Sequence, residues 1–294
     1  MNKRNQKKMI YTCLSPAKIN LFLYVTGRRK DGYHNIQTLF QFLDYGDQFK
    51  IIANKTGNIE LFTEKKIFMN VQNSIIIAAK LLKKTALLQG KLQNSSYGAK
   101  IFLKKNIPMG SGLGGGSSNA ATTLVVLNKL WNTQYTLKEL SLLGLRIGAD
   151  VPGFVMGNTA VIEGIGDILY PIVQKEKWYL VVYPCINIST RYMFSSPFLM
   201  SNTAKKSLQV LLKTPFKNDF ENIAKKQFVP IKKLIRMLSS YAPSRMTGTG
   251  SCVFSEFDNK KSAQKIFSVL PKNVQGFIAK SVNISPLHKT LYKR

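Results

Sequence analysis

Twelve consecutive residues of this chain could do chemistry together: Pro108-Met109-Gly110-Ser111-Gly112-Leu113-Gly114-Gly115-Gly116-Ser117-Ser118-Asn119. A run this rich in glycine can turn several backbone N–H groups toward one point. The next segment, Ala120 to Trp131, reads as a helix. Its first turn would add unpaired N–H groups and the positive end of the helix dipole. Together they predict an anion cradle, and a nucleotide phosphate is the anion that suits it.

Two common phosphate motifs can be tested against the run. A Walker loop needs Gly-Lys-Ser/Thr at its end, and no lysine stands inside this one. The dinucleotide fingerprint is formally present at Gly110, Gly112 and Gly115. It also requires a second strand after the helix. Instead, Thr136-Leu-Lys-Glu139 is a capping box that opens another helix, Leu137 to Ile147. A strand–helix–helix order argues against a Rossmann unit. A Gly/Ser linker is the bland alternative, but linkers rarely sit between a strand pattern and an Ala/Leu/Val helix. Ala120, Leu124, Leu127 and Trp131 share one apolar helix face and belong to the core. Ser117, Ser118 and Asn119 are left to cap the helix or bond a phosphate.

The elements that must position this loop follow from periodicity and punctuation. Met9–Ser15, Ile19–Val25, Ile36–Leu43, Phe49–Ala53 and Ile59–Thr63 read as strands. Asn73 or Ser74 caps a helix running to about Leu88. The strand Ala99–Lys105 leads into the glycine loop, and Thr159–Glu163 is a strand beyond the two helices. From about Gly166 the pattern restarts. It gives the strand Trp178–Tyr183, then helices at Lys206–Lys213, Phe220–Gln227 and Ile231–Tyr241. The strand Cys252–Phe257, the helix Ser262–Leu270 and the strand Phe277–Ser281 follow. This is an α+β chain with mainly antiparallel sheet, dividing near residue 165.

Three motifs in order carry a resemblance. They are Ser15-Pro-Ala-Lys-Ile-Asn20, the glycine loop, and Met246-Thr247-Gly248-Thr249-Gly250-Ser251-Cys252. The chain resembles the GHMP small-molecule kinases. Asp31-Gly-Tyr-His34, Gly148-Ala-Asp-Val-Pro152 and Ile284-Ser-Pro-Leu-His288 are similar to one branch of them. That branch uses ATP to phosphorylate the 2-hydroxyl of a diphosphocytidyl methylerythritol, on the methylerythritol phosphate route to isoprenoid precursors. Homoserine, mevalonate or a sugar is the nearest alternative acceptor. The resemblance implies a two-lobed fold with the active site in the cleft between the lobes. The N-terminal lobe (1–165) would be of the ribosomal-protein-S5-domain-2 type, and the C-terminal lobe (166–294) a ferredoxin-like α/β sandwich.

The resemblance also implies roles. Asp150 is the proton acceptor, because a carboxylate in reach of the attacking hydroxyl can take its proton. Lys18 stabilises the developing alkoxide. Asn20, two residues on, points to the same side of a strand. Tyr33 and His34 hold the cytosine ring, and Phe194 closes its other face. Asn73, Lys105 and the loop from Pro108 to Ser118 bind ATP. Thr247, Gly248, Thr249 and Gly250 close on the phosphates or substrate from the other lobe. Ser111 stands where relatives commonly have glycine, so it would either strain a positive φ or add a hydroxyl bond to phosphate. ATP implies Mg²⁺, without a dedicated carboxylate cluster to hold it.

Composition bounds the rest. The chain has 294 residues and a net charge of +29. Such a field attracts polyanions, so RNA binding on the same scaffold is the rival function. The lysines are spread along the chain and no common nucleic-acid motif is present, which argues against a specific nucleic-acid partner. Abundant Lys, Asn and Ile is also what an AT-biased genome would give. Three scattered cysteines suggest a reducing cytoplasm. No apolar run reaches a membrane span. A monomer and a homodimer are both compatible with the sequence.

Overall fold

The computed structural model describes residues 10–64, 73–271 and 274–292. The basic start, Met1–Lys8, and the expected strand residue Met9 lie outside them.

Two long antiparallel strands, β1 (Ile10–Arg28) and β2 (His34–Asn54), form the spine. Four shorter strands were expected there, broken at Pro16 and near Gly46. The structure corrects this. Pro16 and Gly46 face each other in the ladder, and the register shifts between Pro16 and Lys18. The bulge accommodates a residue with no N–H to donate. Gly46 permits the close approach, since a Cβ there would lie 2.1 Å from the Ser15 carbonyl oxygen.

Around this spine the first half adds β3 (Ile59–Thr63), α1 (Ser74–Leu88) and β4 (Gly98–Lys104). Then come α2 (Gly115–Leu130), α3 (Leu137–Leu145), α4 (Val151–Met156), and the hairpin β5 (Ala160–Gly164) and β6 (Ile168–Pro171). The Thr136–Glu139 capping box forms as its spacing predicts. The second half supplies β7 (Trp178–Tyr183), α5 (Thr190–Phe194), α6 (Leu208–Lys213), α7 (Glu221–Gln227) and α8 (Val229–Ser239). It ends with β8 (Ser244–Met246), β9 (Val253–Phe257), α9 (Lys260–Val269), β10 (Gln275–Val282) and α10 (Pro286–Tyr292). The short elements α4, α5, β6, β8 and α10 had no counterpart in the sequence reading.

The sheet path runs β3-β4-β2-β10-β7-β9-β8. Among the described strands only β3 and β4 pair in parallel. β10 is the seam: it pairs with β7 and then with β2 through Ser281↔Leu43 and Val282↔Phe42. One core cluster packs β2 and β4 under α1 and α2, and α10 returns to it through Leu287 and Leu291. A second packs α7 and α8 on β7 and β9. A third lies beneath the glycine loop, where Leu113 meets Ile19, Leu21 and Phe254. Burying Leu113 contributes about 2 kcal/mol and pins the loop to the sheet.

Candidate active site

A cavity of about 750 Å³ opens between the halves. The glycine loop and the start of α2 form its floor. Lys18, Asn20, Tyr33, His34, Asn73, Lys105, Asp150, Phe194, Gly248 and Thr249 line it. Residues spread over most of the chain therefore converge as expected.

At the glycine-loop end of the cavity the backbone sets the geometry. Gly110, Gly112 and Gly114 have φ of +56°, +76° and +71°. A Cβ on Gly112 would lie 2.2 Å from the Thr247 carbonyl oxygen, and one on Gly114 would lie 2.8 Å from the Phe154 ring. Ser111 is spared this strain, since among the described residues only Asn132, Gln134 and Cys185 are non-glycine residues with positive φ. Its hydroxyl donates to Pro108 O at 2.7 Å, which braces the loop and commits the proton once expected for phosphate. The helix begins at Gly115, before the expected Ala120, with Gly114 as N-cap and no side-chain cap bond. The N–H groups of its first turn are thus left for a ligand. Asn73 caps α1 by accepting from Ile75 N at 2.9 Å, and Ser74 Oγ donates to Gly116 O at 2.9 Å. Two helix starts are tied together beside the loop.

Four expected binding residues, Leu113, Ser118, Thr247 and Gly250, do not line the cavity. Ser118 is fully buried, with its hydroxyl 2.8 Å from Ser15 Oγ. Ser15 also donates to Asn119 Oδ1 at 2.9 Å, so these side chains lock α2 onto β1 rather than cap the helix. Leu113 points into the core. Thr247 is buried and accepts from Asn20 N at 2.9 Å, while Gly250 N donates to Thr247 O at 3.0 Å. These two shape the turn that presents Gly248 and Thr249. A helical or turn position tells which way a side chain can point locally, but not which neighbour waits there.

Beside the glycine loop lies an ion pair. Lys18 Nζ lies 3.3 Å from Asp150 Oδ2 and donates to Asn20 Oδ1 at 2.5 Å. Lys18 is buried while the Asp150 side chain is 38% exposed, so the carboxylate faces the cavity. Asp150 opens α4 yet makes no cap bond, which removes the reading of it as a mere helix cap. Asn20 is held in turn: its Nδ2 donates to Thr38 Oγ1 at 2.8 Å, and Thr38 Oγ1 donates to Phe22 O at 2.6 Å. At the far end Tyr33 is 60% exposed on the β1–β2 turn. His34 packs against Phe194 at 5.2 Å between ring centroids, and Phe194 rests edge-on against Phe220 at 4.8 Å. Burial, and then the nearby Arg28 charge, hold the His34 imidazole below its usual range.

Residues 73–158 match the model of the GHMP kinases N terminal domain, and residues 205–276 that of the GHMP kinases C terminal domain. Over 286 residues the chain is 64% identical to the 4-diphosphocytidyl-2-C-methyl-D-erythritol kinase of Buchnera aphidicola subsp. Schizaphis graminum, covering 97% of this chain and 98% of that protein. The chain belongs to this family of GHMP kinases. The crystal structure of a 4-(cytidine 5'-diphospho)-2C-methyl-D-erythritol kinase superposes with a TM-score of 0.76 at 27% identity, over 92% of this chain and 99% of that one. The homoserine kinase of Cytophaga hutchinsonii shares the fold, with a TM-score of 0.65 at 15% identity over 97% of this chain and 98% of that one. The α+β GHMP kinase fold expected from the motifs is therefore the fold observed.

Against that family background, several cavity residues were missed by sequence reasoning. Ser74 and Thr190 line the wall, and Thr190 Oγ1 lies 3.2 Å from Thr249 Oγ1, joining α5 to the last motif. Leu23 and Ile36 add apolar wall beside His34. Asn187 crowds the loop from the other half: a Cβ on Gly110 would collide with its Oδ1. Only the position of Asn187-Ile-Ser-Thr190 just before Phe194 hinted at it. Among the described residues no group of three or more His, Cys, Asp or Glu could hold a metal, and no helix is long and apolar enough to cross a membrane.

Proposed function

We propose that this protein transfers the γ-phosphoryl group of ATP to the 2-hydroxyl of 4-diphosphocytidyl-2-C-methyl-D-erythritol, releasing ADP, within isoprenoid biosynthesis. The observation that carries this reading is the Lys18–Asp150 pair, 3.3 Å apart, set in one cavity between the glycine cradle and the Tyr33–His34 corner. The glycine loop and the first turn of α2 hold the phosphates through backbone N–H groups. Asp150 accepts the proton of the attacking hydroxyl as its oxygen bonds to the γ-phosphorus and the β–γ bridge breaks. Lys18 offsets the negative charge developing on that oxygen, with Asn20 fixing its ammonium. Tyr33 and His34 take the cytosine ring, by stacking and by hydrogen bonding to its edge.

Mg²⁺ would supply neutralisation of charge on the β- and γ-phosphates. The hydroxyl of Ser117, which lines the cavity beside the glycine loop, is a hard oxygen donor that suits it. The two halves act as lobes dividing near residue 165. The three cysteines, all free, fit work in a reducing cytoplasm.

The test is ADP release with ATP·Mg²⁺ and each of three alcohols: the diphosphocytidyl methylerythritol, homoserine and mevalonate. Release with the cytidyl alcohol alone, lost in Asp150→Asn, is the expected result. Release with another alcohol keeps the superfamily and overturns the substrate.

A further inference from the structure

Lys105 lines the cavity, but the group that governs it does not. We infer that Asp47, a fully buried carboxylate behind the cleft, is a positioning residue that holds Lys105 and the entry to the glycine loop in the geometry the nucleotide needs. The inference rests on reading the cleft as an ATP site.

One Asp47 oxygen accepts from Lys105 Nζ at 2.6 Å, and the other accepts from Asn106 N and Ile107 N at 2.8 Å each. A single carboxylate thus fixes an ammonium and two consecutive N–H groups just before Pro108. Sheet register creates the arrangement. Gln48 pairs with Lys104 across β2 and β4, so Asp47 falls beside Lys105 where the ladder ends. On its other side Asp47 pairs with Ser15 of β1, three residues before Lys18. The carboxylate therefore stands between the strand that carries the reacting lysine and the segment that feeds the phosphate loop.

Lys105 needs this partner. A Cβ on Gly115 would lie 3.0 Å from its Nζ, so the ammonium sits against the first residue of α2. The positive end of a helix repels a cation there. Burial also disfavours the charged form and lowers the lysine pKa, while Asp47 opposes that shift. With Asp47 in place, Lys105 is an oriented group beside the phosphate cradle. An ion pair serving stability alone would not feel which ligand is bound.

The experiment is a double-mutant cycle read by calorimetric Kd, with ATP·Mg²⁺ as one probe and CDP as the other. Asp47→Asn keeps an oxygen for the two backbone N–H groups and removes the charge. It should weaken ATP about tenfold, the scale of one charge-assisted hydrogen bond. CDP should bind as in the wild type. In a Lys105→Met background the same change should instead tighten ATP, because a carboxylate stripped of its cation repels the triphosphate. Weakening of ATP in both backgrounds, or equal weakening of CDP, would overturn the inference. Should Asp47→Asn alone fail to fold, Lys105→Met is compared with the double variant, which has no lone buried charge. Tighter ATP in the double variant supports the role, and equal or weaker ATP overturns it. A wild type that does not bind ATP at all would instead sink the kinase reading.

Discussion

Replacing Asp150 by Asn removes a negative charge and a proton acceptor while keeping size and shape. Lys18 loses its partner at 3.3 Å but keeps Asn20 Oδ1 at 2.5 Å. The Asp150 side chain is 38% exposed, so the lost pair falls between a surface and a buried salt bridge. Its loss should cost about 1–2 kcal/mol of stability. A domain with roughly 5 kcal/mol or more to lose stays almost wholly folded after that. A missing general base lowers turnover about 10²- to 10⁴-fold, or roughly 3–5 kcal/mol on the barrier. The catalytic effect must therefore exceed anything partial unfolding could produce. ATP should bind as well as before or better, because a negative charge near the γ-phosphate has gone. The assay is kcat from ADP release at saturating ATP and cytidyl substrate, with ATP Kd and a melting curve on the same sample. A kcat within about threefold of wild type would refute Asp150 as acceptor, since a true base contributes far more. A matching loss of ATP affinity would show a collapsed site instead.

Four further outcomes follow from the geometry. Gly114→Ala forces a Cβ into φ +71°, 2.8 Å from the Phe154 ring and 3.0 Å from Lys18 Cε. The backbone strain alone costs about 1–2 kcal/mol. Urea melts and ADP release should both show losses, and an unchanged kcat/KM would mean the loop tolerates another path. Thr38→Val leaves the Asn20 amide and the Phe22 carbonyl without their buried bridge, costing about 1–3 kcal/mol. Thr38→Ser should restore kcat, and a valine variant with full kcat would show that Asn20 orientation does not matter. Because His34 titrates below its ordinary 6.5, its neutral form is favoured by folding. That stability is complete above pH 6.5 and fades as pH falls through the native value; an NMR titration placing it at or above 6.5 would contradict this. Burial pushes the Cys13 thiol up to about 12 and raises Cys252 as well, whereas Cys185 is exposed. A thiol reagent at pH 8 should count one fast cysteine in the native protein and three after denaturation; three fast thiols without denaturant would contradict that burial.

What the sequence determined by itself was local chemistry and its order. The glycines at 110, 112 and 114, the Thr136–Glu139 box and the apolar face of α2 are short-range patterns, and short-range patterns survive folding unchanged. The three motifs likewise fixed the family, because their residue types suit one chemistry wherever the chain carries them. Tertiary structure decided which polar groups meet. It carried the strands through Pro16 and Gly46, because each residue lies opposite the other and relieves its difficulty. It buried the Ser118 hydroxyl against Ser15, tied Asn119 Oδ1 to the same serine, and made Thr247 a brace instead of a wall. It also placed Thr190 beside Thr249, and Asp47 under Lys105. Those pairings depend on strand register and on contacts up to more than two hundred residues apart, as between Asn20 and Thr247. A one-residue shift in strand register would send Ser15, Asn20 and Asp47 to the opposite face and break their pairings, so no local pattern could have announced them.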